Sequence, residues 1–516
     1  MEEFELIAKT FQGLEEVLAK ELTELNANNI QIGRRMVAFT GNKEMMYKAN
    51  FALRTATRIL KPIKHFKART ADDVYNAIRE IDWSQYLDLK TTFAVDSVVY
   101  SEEFRHSKFV AYKVKDAIVD YFRETTGERP NIRISNPDIK LNIHIADDKC
   151  TLSLDSSGES LHHRGYRQAT VDAPINEVLA AGMILLSGWN GECDFIDPMC
   201  GSGTIAIEAA LIARNMAPGL FRKQFAFEKW KDFDREMYEN IYNDDSNERE
   251  FEHHIYGYDI AQAAIAIATE NVKAAGVTQT ISLAVQPFQQ FIQPTEKSII
   301  IMNPPYGERI AAPDILGLYR MIGTQFKHQF IGGEAWVLSY REECFTQIGL
   351  KPSLKIPLFN GSLDCQYHKY QIFDGKFNDF RANDGEIKTD DERRQMAEKR
   401  RFKQHRDFKE SIVDTVSDES DGIPSYVLKK HRDFVESRER IRRPRHSEPG
   451  ERKAFGERKP FSSGERKPFG ERNSFGSGER KSFSGKTGER RASDRDHKPR
   501  SFGRDGKPFT KEKGDE

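Results

Sequence analysis

At 516 residues the chain is long enough for two to four domains, each with its own core. Its formal net charge is −1, yet residues 441–510 hold 20 Lys/Arg against 10 Asp/Glu, which leaves about −11 for the remainder. Cys150, Cys193, Cys200, Cys344 and Cys365 show no Cys-x-x-Cys or Cys/His ligand spacing, no apolar run approaches membrane-spanning length, and the acidic Met1 to Glu5 start lacks a secretory apolar core; the composition predicts a soluble cytoplasmic protein with reduced thiols and no structural metal.

Phe4 to Ala8 reads as a strand, followed by an amphipathic helix from Gly13 to Leu25 with Leu14, Val17, Leu18, Leu22 and Leu25 on one face. Strand-like segments at Arg35 to Thr40 and Ile59 to Phe66 flank a helical stretch, Lys43 to Thr57, and complete a small α+β unit over residues 1–65. Residues 66–156 read as a second unit. It has helices over Thr70 to Leu87 and Ser107 to Thr125, and strands at Thr92 to Tyr100, Asp138 to Ala146 and Lys149 to Asp155. Asp147-Asp148 makes a hairpin turn of the last pair. Ser156 to Arg167 is a polar connector whose His162-His163 pair has no further ligand nearby and reads as a basic linker.

From Ala173 to Trp189 a helix opens a region of strand–helix alternation running to about residue 378. Its strands are Asp194 to Asp197, Ile255 to Asp259, Ile281 to Val285, Ser298 to Met302 and Ala335 to Ser339. Such alternation predicts a parallel sheet with helices on both faces, and Leu363 to Phe373 reads as a final edge hairpin. From residue 379 the apolar pattern stops. Asp390 to Glu410 is charge-dense and reads as an exposed helix, and Gly-Glu-Arg then recurs six times between Gly450 and Arg490, with phenylalanines interleaved. This segment cannot bury a core and is expected to be disordered.

Two motifs carry chemistry. In Phe195-Ile196-Asp197-Pro198-Met199-Cys200-Gly201-Ser202-Gly203-Thr204 a strand meets a glycine-rich turn and then a helix, so the backbone can approach a ligand closely. The third glycine of the dinucleotide fingerprint is missing and no P-loop lysine follows. Asp197 would repel a pyrophosphate but suits an ammonium group. At the next strand end, Asp259-Ile260 offers a carboxylate for two ribose hydroxyls. An ammonium and a ribose together describe S-adenosylmethionine. In the second motif, Ile299 to Met302 runs into Asn303-Pro304-Pro305-Tyr306. The prolines fix two φ angles and supply no N–H, leaving the Asn303 side-chain oxygen and backbone carbonyls as a rigid set of acceptors beside an aromatic ring. That set suits a planar base with an exocyclic amino group. The plain alternative is a Pro-Pro turn closing a core strand.

These residues resemble the class I S-adenosylmethionine-dependent methyltransferases of the (Asn/Asp)-Pro-Pro-Tyr type. With Ala173-Pro174-Ile175-Asn176-Glu177 and Gly307-Glu308-Arg309 added, residues 1–375 resemble the THUMP-containing RNA guanine-N2 methyltransferases, in particular the bacterial 23S ribosomal RNA enzymes in single-methyltransferase form. The resemblance implies an α/β architecture: a Rossmann-like catalytic domain preceded by ferredoxin-like and THUMP α+β domains. It also implies that Asp197, Pro198, Cys200, Gly201, Ser202 and Gly203 line the methionine end of the cofactor, that Asp259 and Ile260 meet the ribose side, and that Pro174 approaches from the preceding helix. Where many relatives place an acid after the third strand, this chain has Gln286-Pro287, and Gln286 retains an amide oxygen to accept from the adenine amino group.

On this reading Asn303, Pro304, Pro305 and Tyr306 hold a flipped or unpaired base. The partner is structured RNA, 23S rRNA or a ribosomal assembly intermediate, contacted by Lys108, Lys113, Arg164, Arg167 and Arg309; Arg309 equally suits a helix-start salt bridge. The basic, phenylalanine-bearing tail suits non-specific RNA binding. Competing readings are a tRNA guanine-N2 or an adenine-N6 enzyme, whose amines present the same two hydrogens, and a non-catalytic RNA-binding assembly factor.

Overall fold

Alternating burial along Phe4–Lys9, Met36–Gly41 and Ile139–Ala146 fixes which face of the first sheet is covered. In this computed structural model the described residues are 2–294, 297–307 and 314–373. The chain begins β1 (Phe4–Lys9), α1 (Glu15–Glu24), β2 (Asn28–Gly33), β3 (Met36–Gly41), α2 (Lys43–Ala52) and β4 (Arg58–Lys67). It continues α3 (Ala71–Arg79), β5 (Thr92–Tyr100), α4 (Ser107–Thr126), β6 (Asn131–Ile132), β7 (Ile139–Ala146) and β8 (Lys149–Asp155). These strands form one eight-stranded sheet in the order β2-β3-β1-β4-β8-β7-β5-β6. β4 is the seam: it pairs antiparallel with β1 on one side and with β8 on the other.

The second half runs α5 (Glu177–Ser187), β9 (Asp194–Asp197), α6 (Thr204–Ala213), α7 (Arg235–Tyr242), β10 (Ile255–Asp259), α8 (Gln262–Ala274), β11 (Ile281–Val285), β12 (Ser298–Met302), α9 (Ile315–Gln329), β13 (Glu334–Ser339), α10 (Glu342–Ile348), β14 (Leu354–Asn360) and β15 (Leu363–Gln371). Its seven strands are ordered β11-β10-β9-β12-β13-β15-β14. The first five are parallel, and β15 enters antiparallel to β13. β9 and β12 read as continuous buried runs, as strands covered on both faces must.

Several sequence expectations change here, among them the helix over Lys43 to Thr57, which stops at Ala52 because Leu53 is extended. Leu363 to Phe373 supplies only the inner arm of the edge hairpin: β15 lies between β13 and β14, and Leu354–Asn360 takes the edge. Thr70 to Leu87 is not one helix; α3 stops at Arg79, and a short 3-10 turn at Trp83–Gln85 follows because Asp82 caps it by accepting from the Ser84 amide. Ala173 to Trp189 starts later, at Glu177, where Asn176 accepts from the Val178 amide as N-cap. The tail from residue 379, including Asp390 to Glu410, lies outside the described residues.

The two halves share side chains. Leu14, from the N-terminal half, belongs to the core built on β9, α5 and α6, whereas Phe225, Phe227 and Trp230 join the N-terminal core. The fit is close enough that a Cβ on Gly182 of α5 would lie 2.6 Å from the Leu14 methyls.

Candidate active site

The strand order reverses between β9 and β12, and in open α/β sheets ligands bind at the carboxyl edge beside such a switch. Asp197 ends β9 opposite Gly257, so Asp259 lies two residues further along β10. Ile300 pairs with Ile196, and β12 ends at Met302. Asp197, Asp259 and Asn303 therefore share one edge of three adjacent strands.

Asp197 is fully buried, and among the described residues neither carboxylate oxygen has a hydrogen-bond partner. Burial drives its pKa well above the usual carboxylate range and Asp259 adds to the effect; the nearby Met199 amide pulls the other way without closing a hydrogen bond. A buried acid with both oxygens unpaired is costly unless a cationic or hydrogen-bonding ligand completes it. Asp259, by contrast, is engaged: it accepts from the Gly201 amide at 3.0 Å and the Ala261 amide at 2.9 Å. Beside it Ile260 is 73% exposed and Val285, in register with Asp259, is 50% exposed, an apolar margin suited to the face of a base. Gln286 donates its side-chain amide to the Gln290 carbonyl at 2.9 Å, which leaves its oxygen as the acceptor.

The glycine-rich turn is held from three sides. Cys200 donates its amide to the Tyr258 carbonyl at 2.8 Å. Gly203, at φ +80°, starts α6 in the left-handed region, where a side chain would be strained, and its added Cβ would meet Ala268 at 3.2 Å. Asn271 of α8 donates to the Ser202 carbonyl at 3.0 Å and accepts from the Gln168 amide at 2.8 Å. The Cys200 thiol is pushed far up by burial and by Asp197 and Asp259, so it acts as packing rather than as a nucleophile. Pro198 and Ser202 belong to the same turn, and Pro174 follows Ala173, a non-glycine residue at φ +53°.

On the β12 side, Asn303 Oδ1 accepts from the Tyr306 hydroxyl at 2.9 Å, and that hydroxyl accepts from Asn360 Nδ2 at 2.7 Å. Tyr306 is 9% exposed and meets Tyr340 edge-on with centroids 5.5 Å apart. Pro304 and Pro305 follow the last β12–β13 pair, Met302 with Val337, although β13 continues to Ser339.

The expected RNA contacts divide. Arg164 is 1% exposed, donates to the Leu161 carbonyl at 2.8 Å and pairs with the buried Glu208 at 3.4 Å, so it is a core residue and not an RNA contact. Arg167 is likewise corrected: it binds Glu177 at 2.7 Å, Ser202 at 3.0 Å, Thr204 at 2.9 Å and the Ile175 carbonyl at 3.2 Å, and so braces the glycine-rich turn. Basic residues in a connector read as surface, and only the acids on α5 and α6 reveal the inward turn. Lys113 pairs with Asp72 at 3.0 Å on the outside of α4, and Lys108 is exposed on the same helix. Arg309 lies outside the described residues. Asn271 and Asn360 went unnoticed in the sequence; the only local signal was the Asn360-Gly361 turn pair.

Three family models match: the RlmL ferredoxin-like domain over residues 5–60, the THUMP domain over 68–155, and the RMKL-like methyltransferase domain over 164–369. A Synechocystis sp. protein described as an RNA methyltransferase is 36% identical over 369 residues, covering 71% of this chain and 96% of its own length. The ribosomal RNA large subunit methyltransferase K/L of Marinomonas sp. is 36% identical over 378 residues, but this chain spans only 52% of its length. A protein described as a methyltransferase and solved in complex with SAH is 30% identical, with a TM-score of 0.65 over 73% of this chain and 100% of its own. On the strength of three consecutive domain matches and a relative aligned over nearly its whole length, the chain belongs to the THUMP-containing, RMKL-like methyltransferase family.

Proposed function

We propose that this chain is an S-adenosylmethionine-dependent RNA methyltransferase that transfers a methyl group to N2 of a guanine in 23S rRNA. The observation that bears most weight is the unpaired, buried carboxylate of Asp197 beside Asp259 and Asn303: a site one cationic group short of balance. The SAH-bound relative and the rRNA methyltransferase names of the other relatives support the same reading.

Asp197 would take the cofactor's ammonium group, the Gly201–Gly203 turn its methionine portion, and Asp259 its ribose. When bound, S-adenosylmethionine supplies an electrophilic methyl group on a sulfonium. The nucleophile is the difficulty, because the guanine N2 lone pair is delocalised into the ring. Asn303 Oδ1 and the Pro304 carbonyl, accepting the two amine hydrogens, favour a pyramidal nitrogen and release that lone pair. Both acceptors are preset by the rigid Asn-Pro-Pro run, so little reorganisation accompanies the reaction. Once alkylated, the nitrogen loses its extra proton readily to water. A stacked base cannot reach this edge, so the target is unpaired or flipped.

Nucleoside mass spectrometry of rRNA and tRNA from cells lacking the protein tests the assignment: N2-methylguanosine should fall in 23S rRNA and nowhere else. Loss from tRNA, or loss of N6-methyladenosine instead, would replace the substrate. Asn303→Ala should abolish transfer while calorimetric S-adenosylmethionine binding survives; unimpaired turnover would remove Asn303 from the mechanism.

A further inference from the structure

β12 and β13 run parallel with Met302 opposite Val337, and Tyr306 and Arg341 each lie four residues beyond that pair. An arginine therefore leaves the neighbouring strand at the level of the Asn-Pro-Pro-Tyr loop. Its side chain turns toward that loop: Arg341 Nη1 lies 3.5 Å from the point where a Cβ on Gly307 would sit, and Gly307, at φ +87°, has none. Glu343 holds the guanidinium through one oxygen, Oε1, which is 2.7 Å from both Nε and Nη2. The Arg341 amide donates to the Ser339 hydroxyl at 3.3 Å, which fixes the backbone where β13 gives way to α10. The side chain stays one-third exposed, at 33%.

Resting on the function proposed above, we propose that Arg341 is a binding residue for the substrate RNA, its guanidinium taking a backbone phosphate beside the base that enters the Asn303 edge. The reason is one of reach and charge. A base turned out of its stack brings its own phosphates to the rim of the site. Two of the strand tips at that rim carry acids, Asp197 and Asp259, which work against a polyanionic strand. Arg341 supplies the opposite charge on the far side of Asn303, across β12. Glu343 engages Nε and Nη2 and not Nη1, so the fork is held in one orientation while its Nη1 end faces the loop. A guanidinium preset in this way suits the paired oxygens of a phosphate better than a mobile ammonium does. Such a contact fixes where the strand lies without reading its bases, a task left to Asn303 and its neighbours.

Filter binding of an unmodified 23S rRNA transcript by the full chain, over a series of salt concentrations, tests the contact. Arg341→Met should weaken binding about fivefold at low salt and make the plot of log K against log salt shallower by about one. In steady state, KM for the transcript should rise by a similar factor, with kcat and S-adenosylmethionine affinity within about twofold. Arg341→Lys keeps the charge and should restore the slope while leaving affinity below wild type, a rescue that a purely structural role would not show. An unchanged slope in Arg341→Met, a slope that stays shallow in Arg341→Lys, or a loss of S-adenosylmethionine affinity overturns the proposal. A wild-type chain that fails to bind the transcript sinks both readings. One that binds it but leaves it unmethylated sinks the substrate reading alone, and the slope still decides whether Arg341 meets phosphate. Arg341→Gln, which keeps a polar side chain, takes over the test should Arg341→Met unfold.

Discussion

Asp197 illustrates how a single buried residue makes stability depend on pH. Its pKa is raised in the folded chain by burial, so the native state holds its proton more tightly than the unfolded state does. That contribution to stability is fully present below the unfolded value near 3.8 and is lost as pH rises toward the elevated native value. At pH 7 the cofactor-free protein therefore carries a penalty that Asp197→Asn removes. The variant should be more stable to urea at pH 7, with the gap closing as pH falls toward 3.8, and on the proposed function should lose most S-adenosylmethionine affinity in calorimetry. Equal stability at neutral pH would mean that solvent already satisfies the carboxylate. The acid itself was legible in the sequence, since a carboxylate at a strand end before a glycine turn is a local pattern. Its isolation was not, because the absence of partners is a property of the folded surroundings.

At the scale of elements, the connector between the halves was misread for a physical reason. His162-His163-Arg164-Gly165-Tyr166-Arg167 is polar throughout, and polar runs ordinarily face solvent, but Glu208 on α6 and Glu177 on α5 give its two arginines buried counter-charges. Tyr166 donates to the same Glu208 at 2.9 Å. Removing Arg164 strands that carboxylate, so Arg164→Met should lower unfolding free energy by about 3 kcal/mol while RNA affinity of the folded fraction is unchanged. Guanidinium titrations read by circular dichroism, with filter binding alongside, separate these effects; weakened RNA binding at full stability would return Arg164 to the surface role. The parallel strands, by contrast, match the sequence expectation almost to the residue; β9 and β12 are buried throughout and read as short runs with sharp ends, while β10 and β11 are only partly buried. β2 and β14 were missed: Asn28–Gly33 is largely exposed and polar, and Pro357 within Leu354–Asn360 reads as a breaker unless the strand is known to lie at an edge.

Over the whole molecule, the sequence divides into a sheet-forming first part and an alternating second part, but it gives no warning that they exchange core residues. Leu14 fills a space against Gly182 in the second core, and Phe225, Phe227 and Trp230 are spent on the first. A fragment comprising residues 157–378 would expose those three aromatic rings and leave the Leu14 site empty. It is expected to aggregate or bind a hydrophobic dye, whereas residues 1–378 should unfold in one cooperative transition. A soluble fragment that melts sharply would show that the exchange is dispensable.

The strand common to both parts of the first sheet, β4, together with this exchange, has a consequence for target choice. The exchanged side chains pack the THUMP-matching half against the half whose strand edge carries Asp197, Asp259 and Asn303. On the function proposed above, such packing would select a nucleotide by its distance from a landmark in the folded substrate, and the prediction is that lengthening the intervening RNA stem by a base pair moves or erases the mark even when the local sequence is kept.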